Sequence, residues 1–230
     1  MSKLSTDKEL AKISGSIDYN SDNETRKMYY LAKRSFDIIG AMVGMVLVFP
    51  IFLLIVIMYA YGDSKGPVFF KQIRIGKNGE KFYIYKFRSM ILNAEQKLKE
   101  NKDLYRKYIE NNYKLEPEED PRITKLGAFL RKTSIDELPQ LINVLKGEMS
   151  LVGPRPIVDE ELIEYGSQAT DFLSVKPGVT GYWQVSGRSG VGYPERVDLE
   201  LYYVYNQAFF FDLKIIFKTI WMVLLKKGAY

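Results

Sequence analysis

The stretch from Thr133 to Pro156, TSIDELPQLINVLKGEMSLVGPRP, combines adjacent acids, a short apolar run and a closing Gly-Pro-Arg-Pro. Asp136 and Glu137 precede the apolar run, which predicts a helix. A carboxylate at the mouth of a helix and an arginine held between prolines suit phosphate chemistry. A structural interpretation uses the same residues, because Ser134-x-x-Glu137 fits a capping box and Asp136 could be the N-cap. From this stretch alone, both interpretations stay open.

The composition narrows the chemistry that the chain can perform. The sequence contains neither Cys nor His. This excludes thiol nucleophiles, Ser-His-Asp and Cys-His mechanisms, and zinc sites built on these residues. Any reaction must therefore use carboxylates, Lys, Arg, Tyr or a hard oxygen-bound metal such as Mg²⁺.

The charge of the chain favours an anionic partner. The net charge is +5, spread along 230 residues, and 47% of residues are hydrophobic, enough for a core. Lipid headgroups or a phosphorylated substrate fit this charge. Because the basic residues form no concentrated tail, no nucleic acid partner is expected.

An uncharged apolar segment, Ile38 to Ala60, follows a polar N-terminal region. We predict a flexible extension over residues 1–32. As a helix, the apolar segment would be roughly 35 Å long, enough to cross a hydrocarbon core of about 30 Å. Pro50 lies near its middle, and basic residues flank both ends, so a helix-break-helix that enters and leaves on one face competes with a simple crossing.

Three further patterns describe the middle of the chain. Pro67 to Phe87 predicts a β-hairpin with its turn at Asn78-Gly79. Asn93 to Asn112 predicts one surface helix of mixed charge. The acidic run from Glu116 to Asp120 could gather a metal, although a solvated loop explains it as well.

The remainder contains a helical segment, a glycine-rich stretch and an amphipathic end. We predict a helix over about Val158 to Leu173. Lys176 to Pro194 carries five glycines, so that backbone and cations could approach a phosphate, or it forms a surface loop. Phe209 to Lys227 has apolar residues at helical spacing, which predicts a helix in the membrane interface or on the core.

Taken together, the motifs resemble the bacterial sugar transferases, the monotopic phosphoglycosyl transferases of capsule, exopolysaccharide and O-antigen assembly. The resemblance runs from about Lys33 to the C-terminus. It is carried by KRSFDIIGA (33–41), the apolar helix with its central proline, KFRSM (86–90), DPRITKLGAFLRKTSIDELPQLINVLKGEMSLVGPRP (120–156), KPGVTGYWQVSGR (176–188) and LYYVYN…FDLKIIFKTI (201–220).

The resemblance implies a covalent two-step reaction. In such enzymes the Asp of the Asp-Glu pair attacks the β-phosphate of a UDP-sugar and UMP leaves. Undecaprenyl phosphate then takes the sugar phosphate. Asp136 would be the nucleophile, and Glu137 would help to hold Mg²⁺. A carboxylate can form an acyl phosphate, and a lipid phosphate monoester is largely dianionic at neutral pH, so no histidine is needed.

The resemblance also indicates further site residues and a fold. The expected phosphate or substrate contacts are Arg88, Arg122, Lys132, Arg155, Lys176, Gln184 and Arg188, with Arg155 preferred. The expected fold is an α+β monotopic membrane protein: a re-entrant helix over residues 33–62 broken at Pro50, then a cytoplasmic catalytic domain over 63–230 with a β-hairpin and a C-terminal interfacial helix.

The expected function is transfer of a hexose 1-phosphate, galactose or glucose, at the first membrane step of exopolysaccharide or capsule synthesis. The site would lie on the cytoplasmic face of the bacterial membrane. A homodimer and contacts with downstream glycosyltransferases are compatible with this role. A glycosyltransferase that releases UDP and a non-enzymatic membrane scaffold are the alternatives. Glu200 departs from the family pattern, which usually has Asp before the tyrosines.

Overall fold

The computed structural model describes residues 3–60, 65–111, 115, 119–187 and 190–225, without the side chains of residues 3–25 and of Leu224. The chain divides into two compact units, residues 1–36 and 37–230. The first consists of the N-terminal part of a long helix, and the second contains every other element described below.

Nine α-helices and four β-strands are found in the described part of the chain. The helices are α1 Lys3–Ala60, α2 Ala94–Glu100, α3 Lys102–Glu110, α4 Lys125–Lys132, α5 Gln140–Lys146, α6 Ala169–Phe172, α7 Tyr182–Ser186, α8 Glu195–Tyr205 and α9 Phe209–Leu224. The strands are β1 Phe69–Ile75, β2 Lys81–Phe87, β3 Ser150–Val152 and β4 Gly178–Thr180. Helix and sheet are thus mixed, as the sequence predicts.

Helix α1 differs from its prediction in two respects. It begins at Lys3, so the segment expected to be a flexible extension is helical. It also continues through Pro50 to Ala60 instead of breaking there, because a proline removes one backbone hydrogen bond and can bend a helix without ending it. The part from Arg26 to Ala60 is long and apolar enough to cross a membrane. Tyr61 and Gly62, the end of the predicted membrane segment, lie outside the described residues.

Within the second unit, one stripe of α1 packs on the domain. Asp37, Ala41, Ile55 and Tyr59 are buried, at spacings that place them on one helix face. Most of the remaining apolar side chains of this helix are exposed; they include Val46, Leu47, Phe49, Leu53 and Leu54. An exposed apolar surface of this kind is typical of contact with lipid or another apolar partner.

The predicted β-hairpin is confirmed. Strands β1 and β2 pair antiparallel from Phe69 opposite Phe87 to Ile75 opposite Lys81. The turn contains Asn78 and Gly79, both with positive φ, as an Asn-Gly turn requires. The buried side chains of Phe82 and Ile84 join Leu141 and Val144 of α5 in one core cluster.

The single surface helix predicted for Asn93 to Asn112 is wrong. Two helices, α2 and α3, meet at Asn101, whose backbone is extended (φ −93°, ψ 93°). The Asn101 side chain accepts a hydrogen bond from the Leu104 N–H at 3.1 Å. Asparagine favours such a cap over a helix interior, and this preference explains the break.

Strands β3 and β4 form a parallel pair that positions the Gly-Pro-Arg-Pro loop. The pair requires glycine, because a Cβ on Gly178 would lie 2.1 Å from the Gly153 nitrogen. A Cβ on Gly181 would lie 2.1 Å from the Gly153 oxygen. Two glycines of the stretch predicted as a phosphate or surface loop thus permit close backbone packing.

Of the two helices predicted for the C-terminal half, one is confirmed and the other is divided into two segments. The segment predicted as a helix over about Val158 to Leu173 consists of a 3₁₀ segment, Asp159–Gln168, kinked at Gly166, and the short helix α6. The amphipathic helix α9 is confirmed. Its Ile215 is buried, whereas Phe210, Phe217 and Trp221 are exposed.

Candidate active site

The acidic pair lies on a tight turn between α4 and α5. Ser134 has a φ of 56°, in the left-handed region, and Ile135–Glu137 form a single 3₁₀ turn. This geometry directs Asp136 inward, to 7% exposure, and places Glu137 at the edge of a cleft. The capping interpretation is wrong: Ser134 makes no side-chain cap, and Pro139 rather than Asp136 stands at the N-cap of α5.

Glu137 is held by two cations from different parts of the chain. The Lys86 ammonium, from β2, donates to Glu137 Oε1 at 2.7 Å. The Arg155 guanidinium, from the loop after β3, lies 3.7 Å from the same oxygen. Burial lowers the pKa of Lys86, and the Glu137 carboxylate opposes that shift. The turn, strand β2 and the loop after β3 are thus joined at one carboxylate.

Asp136 has a different environment. Among the described residues, no group forms a hydrogen bond or ion pair with its carboxylate. Burial, followed by the charge of Glu137, raises its pKa to about 6, although Lys86, Arg131 and Arg155 pull the pKa down. Above that pH, Asp136 is a desolvated carboxylate surrounded by cations. Such a group can attack an electrophilic phosphorus whose oxygens bind the cations.

The cleft beside the pair has an empty volume of about 230 Å³, including its open mouth. The lining residues are Arg74, Ile84, Lys86, Glu137, Gln140, Arg155, Pro156, Gly178, Val179 and Gln184.

Two of the predicted site residues line this cleft beside the acidic pair. Arg155 approaches Glu137, and its guanidinium lies 6.0 Å from the centre of the Trp183 ring. Gln184, on α7, is buried, and its Oε1 is one of three buried side-chain polar atoms that lack a partner among the described residues.

Arg88 and Arg122 contact protein groups instead of lining the cleft. Arg88 donates to the Pro67 carbonyl at 2.7 Å and stacks its guanidinium 5.3 Å from the centre of the Tyr59 ring. Arg122 forms a two-pronged ion pair with Asp120, with both contacts at 2.7 Å. Both arginines are buried, and their contacts indicate structural roles.

The remaining predicted cations lie elsewhere. Lys132 is exposed at the end of α4. Lys176 is half-buried, and its carbonyl lies close to Gly153, where β3 and β4 meet. Arg188 lies outside the described residues.

Sequence reasoning missed two cations that face the acidic pair. Lys86 follows the alternation of the buried residues Phe82 and Ile84 along β2, a period-2 pattern that could have identified it. Arg131 precedes Lys132 on α4, lowers the pKa of Asp136, and donates through Nε to the Ser89 hydroxyl at 3.1 Å.

The carboxylates present are compatible with one Mg²⁺ site. Within the described residues, no group of three or more acidic side chains could hold a metal. Mg²⁺ in proteins is usually held by one or two carboxylates, with waters and substrate phosphates completing its six ligands. Asp136 and Glu137 meet that minimum. The acidic run predicted as a solvated or metal-gathering loop is described only in part: Glu119 pairs with Lys107 and Asp120 with Arg122, whereas Glu116 and Glu118 lie outside the described residues.

The geometry places a buried carboxylate beside a cleft lined by cations, in a domain that carries a large apolar surface. The chain belongs to the bacterial sugar transferase family, whose model matches residues 28–226.

Several curated proteins are similar to the chain. An exopolysaccharide production protein, ExoY, of Rhizobium meliloti is 47% identical over 204 residues, 87% of this chain and 88% of that protein. An undecaprenyl-phosphate galactose phosphotransferase of Salmonella typhimurium is 45% identical over 91% of this chain. A UDP-glucose:undecaprenyl-phosphate glucose-1-phosphate transferase of Escherichia coli is 38% identical over 87%. The chain spans 44% and 42% of the length of the latter two proteins.

Proposed function

We propose that this protein transfers a hexose 1-phosphate from a UDP-sugar to undecaprenyl phosphate and releases UMP. The observation that carries the proposal is the contrast within the acidic pair. Glu137 is bound by Lys86 and Arg155, whereas the buried Asp136 carboxylate has no partner among the described residues. A carboxylate in this state is suited to attack a phosphate whose charge the neighbouring cations offset.

The proposed reaction has two displacements at one phosphorus atom. An Asp136 oxygen bonds to the β-phosphorus of the UDP-sugar, and the bond from that phosphorus to the bridging oxygen breaks, which releases UMP. A phosphate oxygen of undecaprenyl phosphate then attacks the same phosphorus, and the bond to Asp136 breaks. The products are the lipid diphosphate sugar and the original carboxylate, and neither step requires a proton.

The cations of the cleft would act on the diphosphate. Lys86 and Arg155 reach Glu137 in this structure, so phosphate oxygens placed beside Glu137 would lie within their reach. Charged hydrogen bonds of this kind are stronger than neutral ones. Mg²⁺ held by Glu137, with Asp136 as the second possible ligand, would supply further neutralisation of the diphosphate charge.

We further propose that α1 enters and leaves the membrane on one face by bending at Pro50 within a continuous helix, and that the site faces the cytoplasm at headgroup depth. At one end of the apolar segment, the Asp37 carboxylate accepts from the Ser150 hydroxyl at 3.0 Å and from the Leu151 N–H at 2.9 Å. At the other end, the Tyr59 hydroxyl donates to the Arg88 carbonyl. Because both ends bind the same domain, a crossing would require that domain to extend across the bilayer.

The C-terminal helix supports this shallow placement. Phe210 and Phe217 of α9 are more than two thirds exposed, and Trp221 lies exposed nearby. Aromatic residues on the exposed face of an amphipathic helix are typical of the membrane interface. A reporter inserted after Gly62 should stay on the cytoplasmic side of intact cells; a reporter exposed outside would exclude re-entry.

The reaction is tested by identifying the released nucleotide. Purified protein, a UDP-sugar and undecaprenyl phosphate should yield UMP, and Asp136→Asn should abolish its release. Asp198→Asn, on the exposed side of α8, is the matched control and should retain activity. Release of UDP would instead identify a glycosyltransferase that moves the sugar alone. Wild-type turnover by Asp136→Asn would exclude Asp136 as the nucleophile.

The covalent step has its own test. A UDP-sugar labelled in the sugar should leave label on the wild-type protein when the lipid acceptor is omitted, and none on Asp136→Asn. Among donors we propose UDP-galactose first, because the relative named for galactose shares 45% identity and the one named for glucose 38%. A panel of UDP-sugars assayed for UMP release decides between them.

A further inference from the structure

The backbone of the Pro154–Arg155–Pro156 tripeptide is held at three consecutive points. The Pro154 carbonyl accepts from the Gly178 N–H at 2.8 Å. The Arg155 N–H donates to Glu200 Oε1 at 3.1 Å. The Pro156 carbonyl accepts from the Arg74 guanidinium at 3.3 Å. Side chains supply two of these three contacts, and both are charged.

The two side chains that hold this backbone belong to one chain of alternating charges. Arg74 pairs with Glu161 at 3.4 Å, Glu161 with Arg196 at 3.1 Å, and Arg196 with Glu200 at 3.3 Å. Together with Arg155 and its neighbour Pro156, these four residues close a ring behind the cleft. The ring draws on β1, the 3₁₀ segment after the loop, and α8.

The ring is deeply buried and further fixed by tyrosines. Glu200 is 1% exposed and Arg196 3% exposed. The Tyr165 hydroxyl donates to Glu200 Oε2, and the Tyr193 hydroxyl donates to Glu161 Oε2 at 3.0 Å. Each ring carboxylate thus has a cationic partner and a hydroxyl donor.

A buried ionic ring is a poor means of gaining stability. The cost of removing charges from water often exceeds the gain from pairing them, and apolar replacements are often equally stable. What charged side chains supply here, and apolar ones cannot, is a directed contact with a backbone N–H and a carbonyl of the loop. These contacts fix the backbone position from which the Arg155 side chain extends toward Glu137.

We propose that Glu200 and Arg74 are positioning residues that hold the backbone of Arg155, so that its guanidinium stays at the acidic pair. The inference rests on the proposed function for its catalytic consequence. It also assigns a role to Glu200, whose function the sequence alone left open. One carboxylate oxygen of Glu200 accepts from the Arg155 N–H, and the other accepts from the Tyr165 hydroxyl.

The substitutions change the charge or the hydrogen-bonding groups of a side chain and keep its volume nearly the same. Glu200→Gln retains an acceptor and removes the charge. Arg74→Lys retains the charge and removes the guanidinium, whose Nη1 contacts both Pro156 and Glu161 and whose Nη2 contacts Gln72. Tyr165→Phe removes only the hydroxyl donated to Glu200, and it serves if Glu200→Gln does not fold. Glu195→Gln, exposed on the same helix as Glu200, is the matched control.

The kinetic test is a double-mutant cycle with Arg155→Ala, read as UMP release. Glu200→Gln and Arg74→Lys should lower kcat about 10- to 100-fold with little change in KM, because small misplacements of a catalytic group have effects of this size. In the Arg155→Ala background, the same substitutions should have almost no further effect. An equal loss in both backgrounds would overturn the proposal.

Hydrogen exchange tests the positioning without activity. Arg155 carries the one backbone N–H of the Pro154–Arg155–Pro156 tripeptide, so the difference between peptides that end at Pro154 and at Pro156 isolates its exchange. Its exchange should accelerate in Glu200→Gln or Tyr165→Phe and remain slow in Glu195→Gln. Unchanged exchange in the first two variants would refute the contact. If the wild-type protein released no UMP, the proposed function would fail while this measurement still decided the positioning.

Discussion

The Lys86 ammonium lies 2.7 Å from the Glu137 carboxylate, while the adjacent Asp136 carboxylate is buried without a partner among the described residues. Two acids that are neighbours in sequence therefore have opposite environments. One is compensated by cations and faces the cleft, and the other is desolvated with a raised pKa. Environments that separate two carboxylates in this way are typical of sites that assign them different roles.

Replacement of Lys86 should reduce the reaction rate. Lys86→Met retains most of the side-chain volume and removes a cation that contacts Glu137 and lowers the pKa of Asp136. We expect kcat/KM for UMP release to fall about 10²-fold, as when one preorganised charge-stabilising donor is lost. Lys81→Met is the control: Lys81 lies on the same strand, is exposed, and pairs with Asp159 on the surface. Equal losses in the two variants would contradict a role at the site.

The rate of the first step should fall at acidic pH. Only ionised Asp136 can attack, and its pKa is raised to about 6. Single-turnover UMP release without lipid acceptor should therefore rise to half its maximum near pH 6 and level off above pH 7. Omission of the lipid matters, because its phosphate also titrates near pH 6. A rate that stays constant from pH 5 to pH 8 would be inconsistent with this assignment.

The same carboxyl group should weaken the fold at neutral pH. Its pKa rises from 3.8 in the unfolded chain to about 6 in the folded protein, so between these values the folded state binds more protons. Stability contributed by Asp136 is therefore lost as the pH rises from about 4 to about 6, and the difference corresponds to roughly 3 kcal/mol. Asp136→Asn should unfold at a higher temperature than the wild type at pH 7.5, and this advantage should disappear near pH 4. An equal difference at both pH values would mean that ionisation is not its cause.

Local patterns in the sequence predicted those elements that depend on neighbouring residues. The hairpin around Asn78-Gly79 and the amphipathic helix α9 both follow from turn chemistry and periodicity. The break at Asn101 was missed because the sequences on both sides have the same mixed-charge helical pattern, and one capping residue between them does not stand out. Because proline usually interrupts a helix, the sequence predicted a break at Pro50, but helix α1 continues through this residue.

The candidate site could be predicted only in part, because its partners are distant in sequence. Asp136, Glu137 and Arg155 were identified from one stretch. Arg122 pairs with Asp120, only two residues earlier, but the sequence does not show whether two such neighbours bind each other or a ligand. The contacts of Arg88 with Pro67 and Tyr59 are tertiary and leave no trace in the neighbouring sequence. Lys86 was missed for the converse reason: a lysine on a hairpin strand is usually exposed. The alternation with Phe82 and Ile84 indicates its strand face, but the sequence does not show that this face lines a cleft.

Gly178→Ala should damage both stability and activity. A Cβ at this position would lie 2.1 Å from the Gly153 nitrogen and 2.3 Å from the Thr180 oxygen, which are backbone atoms that cannot rotate away. Relief requires β3 and β4 to separate, and that displaces the loop carrying Arg155. We expect a lower melting temperature together with a lower kcat. Gly190→Ala is the control, because a Cβ there meets no atom of the described residues within 4 Å. A wild-type melting temperature for Gly178→Ala would contradict the close strand contact.

Arg122→Lys should distinguish a structural arginine from a substrate ligand. Arg122 gives two parallel contacts to Asp120, and both side chains are at least nine-tenths buried. Lysine cannot reproduce the planar fork, so a buried carboxylate oxygen would lose its donor, at a cost of about 1–3 kcal/mol. The melting temperature should therefore fall. KM for the UDP-sugar should stay within about 2-fold of the wild type, because a structural arginine makes no contact with the substrate. Arg106→Lys is the control, because its exposed pairs with Asp103 and Glu110 contribute little to stability. A large rise in KM at an unchanged melting temperature would instead support the phosphate contact that the sequence predicted for Arg122.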